Sequence, residues 1–298
     1  MLAAAEQLMN LDWLNIQAAA AVSLADTTLL NADTMGFVYE LKMALKAMGD
    51  MRAPKPTFST DQIPDLTGRV MIVTGGNTGI GKETIKVLLQ HNAKVYMASR
   101  SPQKAEAAIA ELKEETGKEA VFLELDLTSY ASIHKAAEEF LSKEEHLHVL
   151  FNNAGLMLCP IDMLGPEDYD LQWFTNVVGV YTVMAPAHFG ALTGPLEGPF
   201  LFTKLLLPAL IAGKASSPDG HTRIIATSSS GSYLGIIHWD TLKDGPARRK
   251  TNSQELYFQS KFANVVVTRQ LAKRYADQGI IAVSLNPGQC DIIAVVGP

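Results

Sequence analysis

Apolar residues from position 69 onward fall into two alternating rhythms. Short runs such as Arg69-Val-Met-Ile-Val73 and Val149-Leu-Phe151 are bounded by Gly, Asn or Asp, which is the pattern of buried strands. Between them lie longer stretches with apolar positions three and four apart, the pattern of helices with one buried face. The spacing predicts strands over 69–73, 94–98, 120–125, 148–152, 222–227 and 280–285, and helices over 79–91, 102–116, 129–143, 166–179, 200–213 and 254–277. Strand and helix in strict alternation imply an α/β fold: one doubly wound parallel sheet, right-handed crossovers and helices on both faces.

Composition narrows the function more than the fold. The 298 residues are 47% hydrophobic, enough to fill one large domain. A net charge of −6 offers no polycation for nucleic acid, and Arg248-Arg249-Lys250 reads as a solvated loop. Cys159 and Cys290 are the only cysteines, so a disulfide framework or cysteine metal site is not expected. His91, His146, His148, His188 and His238 show no metal-ligand spacing. No apolar run reaches the roughly 18 to 20 residues of a membrane span. The first 41 residues hold five acids and no Lys or Arg, unlike a secretory signal or a mitochondrial presequence. The expected location is cytoplasmic.

The most informative motif is Thr74-Gly-Gly-Asn-Thr-Gly-Ile-Gly81, a glycine turn between a strand and a helix. Gly75 can take the positive φ of a tight turn, Gly79 lets the backbone approach a pyrophosphate, and Gly81 permits close packing of the helix. The unpaired N–H groups and positive dipole end of the helix then face the phosphates. Further along stand Leu123-Glu-Leu-Asp126-Leu127, Asn152-Asn153-Ala154-Gly155, Arg223-Ile-Ile-Ala-Thr-Ser-Ser229, Tyr257-Phe-Gln-Ser-Lys261 and Leu285-Asn-Pro287-Gly288. In this order and spacing they resemble the short-chain dehydrogenase/reductase family, over about residues 66 to 288. Phrases such as Val95-Tyr-Met-Ala-Ser-Arg100 and Ser260-Lys-Phe-Ala-Asn264, with 28 residues from Ser229 to Tyr257, look most like its retinol dehydrogenase-like branch and fungal relatives.

The resemblance implies a Rossmann-type domain and a catalytic set of Asn176, Ser229, Tyr257 and Lys261. It also implies dinucleotide contacts at Gly75, Asn77, Thr78, Gly79, Ile80, Gly81, Asp126, Leu127, Asn153, Ala154, Gly155, Tyr257, Lys261, Pro287 and Gly288. Tyr257 and Lys261 are four apart on one helix face. A free phenol with pKa near 10 is a poor base, and a neighbouring ammonium together with the positive nicotinamide ring would lower it. Ser229, at a strand end, can donate to a substrate oxygen as charge develops there. Ser99 and Arg100 close the second strand with a hydroxyl and a cation where an NAD-binding chain would carry an acid, so NADP(H) is expected over NAD(H). No metal is expected.

Three regions depart from the family pattern. Residues 1–65 read as an N-terminal extension, Ala-rich to residue 34 and followed from Met35 by an amphipathic helix, ahead of a catalytic domain at 66–298. Residues 180–198, rich in Pro and Gly, interrupt a family-like helix and read as a retained intron, with a natural surface loop as the competing reading. The chain has Ile292 at the position of the family's cofactor-binding threonine and stops ten residues after Gly288, so the domain reads as C-terminally truncated. The face Phe200, Phe202, Leu205, Leu206 and Leu210 is expected to pack against a second subunit in a homodimer or homotetramer. The expected activity is interconversion of a small lipophilic alcohol and its carbonyl, with selectivity residues in 156–170 and 231–256. The alternative is a nucleotide-binding non-enzyme or the inactive product of a faulty gene model.

Overall fold

The computed structural model describes residues 42–43, 57–178 and 201–288. Most of the 1–65 extension, the 180–198 insertion and the 289–298 tail with Ile292 lie outside the described residues.

Six strands form one parallel sheet: β1 (Val70–Thr74), β2 (Lys94–Ser99), β3 (Val121–Glu124), β4 (Val149–Asn152), β5 (Thr222–Thr227) and β6 (Ile280–Leu285), in the order β3-β2-β1-β4-β5-β6. The long helices are α1 (Gly79–Gln90), α2 (Pro102–Thr116), α3 (Tyr130–Lys143), α5 (Leu201–Gly213) and α7 (Ser253–Tyr275), with short α4 (Leu171–Trp173) and α6 (Pro246–Lys250) between them. Alternation along each strand divides the core in two. Val70, Ile72, Tyr96, Ala98 and Leu150 face a layer with α3, α5 and α7. Met71, Val73, Val95, Met97 and Phe151 face a layer with α1 and α2. This two-sided burial is why the strands read as continuous apolar runs. Helix boundaries are written in polar residues: Ser101 and Ser129 cap α2 and α3, Pro102 opens α2, and Gly117 closes it at φ 72°.

Three expectations from the sequence are corrected here. The helix read over 166–179 begins only at Leu171. Pro166–Asp168 is a 3-10 turn in which Glu167 and Asp168 take positive φ, and Asp170 caps α4 by accepting from Trp173 N at 2.8 Å. After α4 the backbone widens into a π turn over Phe174–Val178. Apolar spacing cannot distinguish these residues from a helix, because the break is made by Gly165-Pro166 and the Asp170 cap. The face on α5 expected to meet a second subunit is largely internal, since Phe202, Leu206 and Leu210 are fully buried in the core beside α3 and Leu205 is partly buried. Arg248-Arg249-Lys250 is the end of α6 rather than a loop; Arg249 and Lys250 are exposed as expected, but Arg248 is buried against Asp170, a partner too far away in sequence to be read.

Candidate active site

The glycine turn lies at the C-terminal edge of β1, beside the turn that follows β4. Gly75 and Gly79 have φ of 65° and 53°, the left-handed conformation that favours glycine. A Cβ at Gly81 would stand 2.3 Å from the Gly75 carbonyl oxygen and 2.7 Å from Asn153 Nδ2, so only glycine fits. One hydroxyl fastens the two turns together. Thr74 Oγ1 donates to Phe151 O at 3.2 Å and accepts from the N–H groups of Asn153 and Ala154, each at 3.0 Å. Asn153 Nδ2 returns a bond to Thr74 O at 3.0 Å. Thr78 makes no side-chain capping bond, so the first N–H groups of α1 are left for an external anion, and Thr78 and Gly79 are exposed. Bare backbone at Gly75 to Gly81, with an uncapped helix start, fits a dinucleotide pyrophosphate.

The rest of the predicted rim follows the same edge. Asp126, just beyond β3, accepts from Thr128 N at 2.8 Å and Thr128 Oγ1 at 2.7 Å through Oδ1, and it is followed by buried Leu127. At the end of β2, Arg100 is exposed, whereas Ser99 Oγ is buried without a hydrogen-bond partner among the described residues. The hydroxyl expected to reach outward thus faces inward, and the strand end presents the cation. Pro287 and Gly288 follow β6, with Gly288 at φ 76°.

The catalytic candidates converge. Tyr257 and Lys261 lie in the first half of α7, whose start is set by Asn252 accepting from Glu255 N at 2.9 Å. Ser229 stands two residues past β5 on the Tyr257 side of the site, where it favours the ionised phenol, and its Oγ accepts from Gly231 N at 3.2 Å. Lys261 Nζ donates to Thr227 O at 2.9 Å and lies 5.8 Å from the Tyr257 ring centroid. Asn176 in the π turn is buried; its Oδ1 accepts from Leu156 N at 2.7 Å, and its Nδ2 donates to Leu156 O and Ser260 Oγ, both at 2.9 Å. Gly155 leaves no room between Asn176 and Lys261, because a Cβ there would stand 3.1 Å from Asn176 Oδ1 and 3.3 Å from Lys261 Nζ.

Burial controls the electrostatics. It pushes the Tyr257 phenol above its ordinary value, with the Ser229 bond pulling the other way. In the chain by itself the phenol is raised, where the sequence reading expects Lys261 and the positive nicotinamide ring together to lower it; Lys261 Nζ donates to the Thr227 carbonyl and lies over the Tyr257 ring. Burial brings the Lys261 ammonium down to about 8.

The sequence reading missed Gln172, Ser253, Ser260 and Thr227. Gln172 carried one legible signal, an amide four residues before Asn176 in an otherwise apolar run. The others depend on long-range contacts.

Residues 69–188 match the family described as short chain dehydrogenase. A short-chain dehydrogenase/reductase of Armillaria gallica is 54% identical over 245 residues, covering 82% of this chain and 72% of that protein. Retinol dehydrogenase 11 of Mus musculus is 40% identical over 224 residues, covering 75% of this chain and 62% of its own. Among solved structures, an uncharacterised protein of Mycobacterium paratuberculosis superposes with a TM-score of 0.62 at 27% identity, covering 80% of this chain and 75% of that one. With a relative of this family 54% identical over 82% of the chain, and the family match running through the glycine turn and the β4 turn, the chain belongs to the short-chain dehydrogenase/reductase family of oxidoreductases.

Proposed function

We propose that the protein is an NADP(H)-dependent oxidoreductase interconverting an alcohol and its carbonyl, with Tyr257 as acid/base. The observation that carries this reading is the convergence of Ser229, Tyr257 and Lys261, with Lys261 Nζ 5.8 Å from the Tyr257 ring centroid, at the sheet edge where the glycine turn opens. When bound, the nicotinamide cofactor supplies or accepts the hydride. In reduction, Tyr257 Oη gives its proton to the substrate oxygen while Ser229 donates to the same oxygen and stabilises its developing charge. In oxidation the phenolate form of Tyr257 takes the alcohol proton. At neutral pH the phenol, raised by burial, is protonated and so starts the reductive direction in the form that can give a proton. In this reading Lys261 works beside the phenol and would also bond ribose hydroxyls, while Asn176 fixes the neighbouring Leu156 and Ser260.

Arg100 supports NADP(H) over NAD(H), because an exposed guanidinium at the end of β2 can pair with a 2′-phosphate. A lipophilic substrate is supported by five exposed apolar side chains on the loops after β4 and β5: Met157, Leu158, Leu234, Ile236 and Trp239. Among the described residues, no helix is long and apolar enough to cross a membrane. The deciding experiment is NADPH oxidation against a panel of aliphatic and aromatic carbonyls, with Tyr257→Phe as control. Turnover lost in the variant supports the reading, and no turnover by the parent chain refutes it.

A further inference from the structure

Gln172 is 1% exposed and uses both ends of its amide to join three separate segments. Its Oε1 accepts from Leu158 N at 2.6 Å, in the loop after β4. Its Nε2 donates to Ser253 O at 3.0 Å and Ser253 Oγ at 3.2 Å, at the first residue of α7. Ser253 Oγ in turn donates to Cys159 O, closing the ring back onto the same loop. One helical turn after Gln172, Asn176 grips Leu156, and one turn after Ser253 stands Tyr257. The loop is therefore held at Leu156, Leu158 and Cys159 by the two elements that carry the site.

Leu158 gives this arrangement a purpose beyond satisfying a buried amide. It adopts φ 56°, which a leucine avoids, yet its side chain is 48% exposed. Such strain persists only where surrounding contacts over-determine it. Here the bond from Leu158 N to Gln172 keeps an apolar side chain standing out beside Met157, which is 41% exposed.

We propose that Gln172 is a positioning residue for the substrate side of the site: its amide clamps the loop Leu156–Cys159 to the first turn of the tyrosine-bearing helix and so fixes Leu158 as an apolar wall that selects for longer substrates. The wall role rests on the carbonyl-reductase reading above, whereas the clamp is a property of the chain itself.

Three variants test it. Gln172→Met removes both amide contacts at nearly constant volume. Ser253→Ala and Leu158→Ala alter half-buried or exposed positions and keep the test available should the first variant fail to fold. Hydrogen exchange at the Leu158 amide reads the clamp without turnover. We expect it to accelerate by about tenfold or more in Gln172→Met and by less in Ser253→Ala, with Leu271 in α7 unchanged. The ratio of kcat/KM for decanal over butanal, with NADPH, reads the wall. Leu158→Ala should lower that ratio by about tenfold, and Gln172→Met should add nothing in the Leu158→Ala background, because one structural element is lost in both. Unchanged Leu158 exchange in folded Gln172→Met overturns the clamp. An unchanged ratio in Leu158→Ala, or additive effects, overturns the wall. A parent chain that reduces no carbonyl refutes the oxidoreductase reading and the wall with it, while the exchange rates still decide the clamp.

Discussion

Arg248 and Asp170 meet inside the protein with side chains 1% and 3% exposed, Arg248 Nε and Nη2 lying 3.2 and 2.9 Å from the same carboxylate oxygen. The pair joins α6 to the cap of α4, and Arg248 also donates to Met163 O at 3.2 Å. Arg248→Met should cost about 3–5 kcal/mol, because it strands a buried carboxylate. Adding Asp170→Asn should recover part of that loss, since asparagine can cap Trp173 N without a charge. Urea unfolding reads both, and a single-variant loss under about 1 kcal/mol would show that the pair is dispensable.

Tyr257→Phe should lower turnover by about a hundredfold or more while leaving cofactor affinity intact, because it removes the transferable proton and little volume. Lys261→Ala should weaken both turnover and cofactor binding. Calorimetric titration beside steady-state rates separates the two effects, and substantial activity in Tyr257→Phe would remove it as the acid/base.

The pH dependence should carry Lys261's signature. With its ammonium brought down to about 8 by burial, the charge beside the phenol is present below that value and lost above it. Carbonyl reduction measured as kcat/KM should therefore fall as pH rises through about 8. Lys261→Arg, which stays charged, should flatten this limb. A limb that persists unaltered in the arginine variant belongs to another group.

Arg100→Asp should reverse the nucleotide preference, exchanging attraction for a 2′-phosphate for a carboxylate that can bond a free 2′-hydroxyl. Dissociation constants for NADP and NAD, before and after the change, provide the check. An unchanged ratio would move the specificity elsewhere.

His148 predicts how stability depends on acidity. It is 4% exposed, and Nδ1 accepts from Val70 N at 2.9 Å while Nε2 meets Ser216 Oγ at 2.8 Å. Burial, followed by the charge of Arg69, holds its pKa below the ordinary histidine value. The neutral ring's contribution is then complete above the unfolded pKa of about 6.5 and is lost as pH falls below it toward the folded value. Unfolding free energy should decline over that interval, and His148→Gln should flatten the slope. A slope that is the same in the variant would assign it to carboxylates.

The sheet was legible because both faces of its strands are buried: Val70 to Val73 is apolar at every position, and β1 was read one residue from its observed start. The glycine turn, Ser229, Tyr257 and Lys261 were legible because local spacing and order carry them. What escaped was set by contacts across the chain. Arg248 and Asp170 are 78 residues apart, and Gln172 and Ser253 are 81. The inward turn of Ser99 Oγ is likewise a matter of side-chain direction, which composition does not record.

Thr74 has a wider consequence. Its single hydroxyl uses donor and acceptor capacity on the backbone at the end of β4, and Asn153 returns the bond, so the two turns proposed to seat the phosphates are already tied together in the chain by itself. A dinucleotide arriving there need not order a loose turn, and the entropy that such ordering would otherwise remove stays available as affinity. The two turns follow neighbouring parallel strands, β1 and β4, so damage to either strand end should loosen this seat well before it unfolds the sheet.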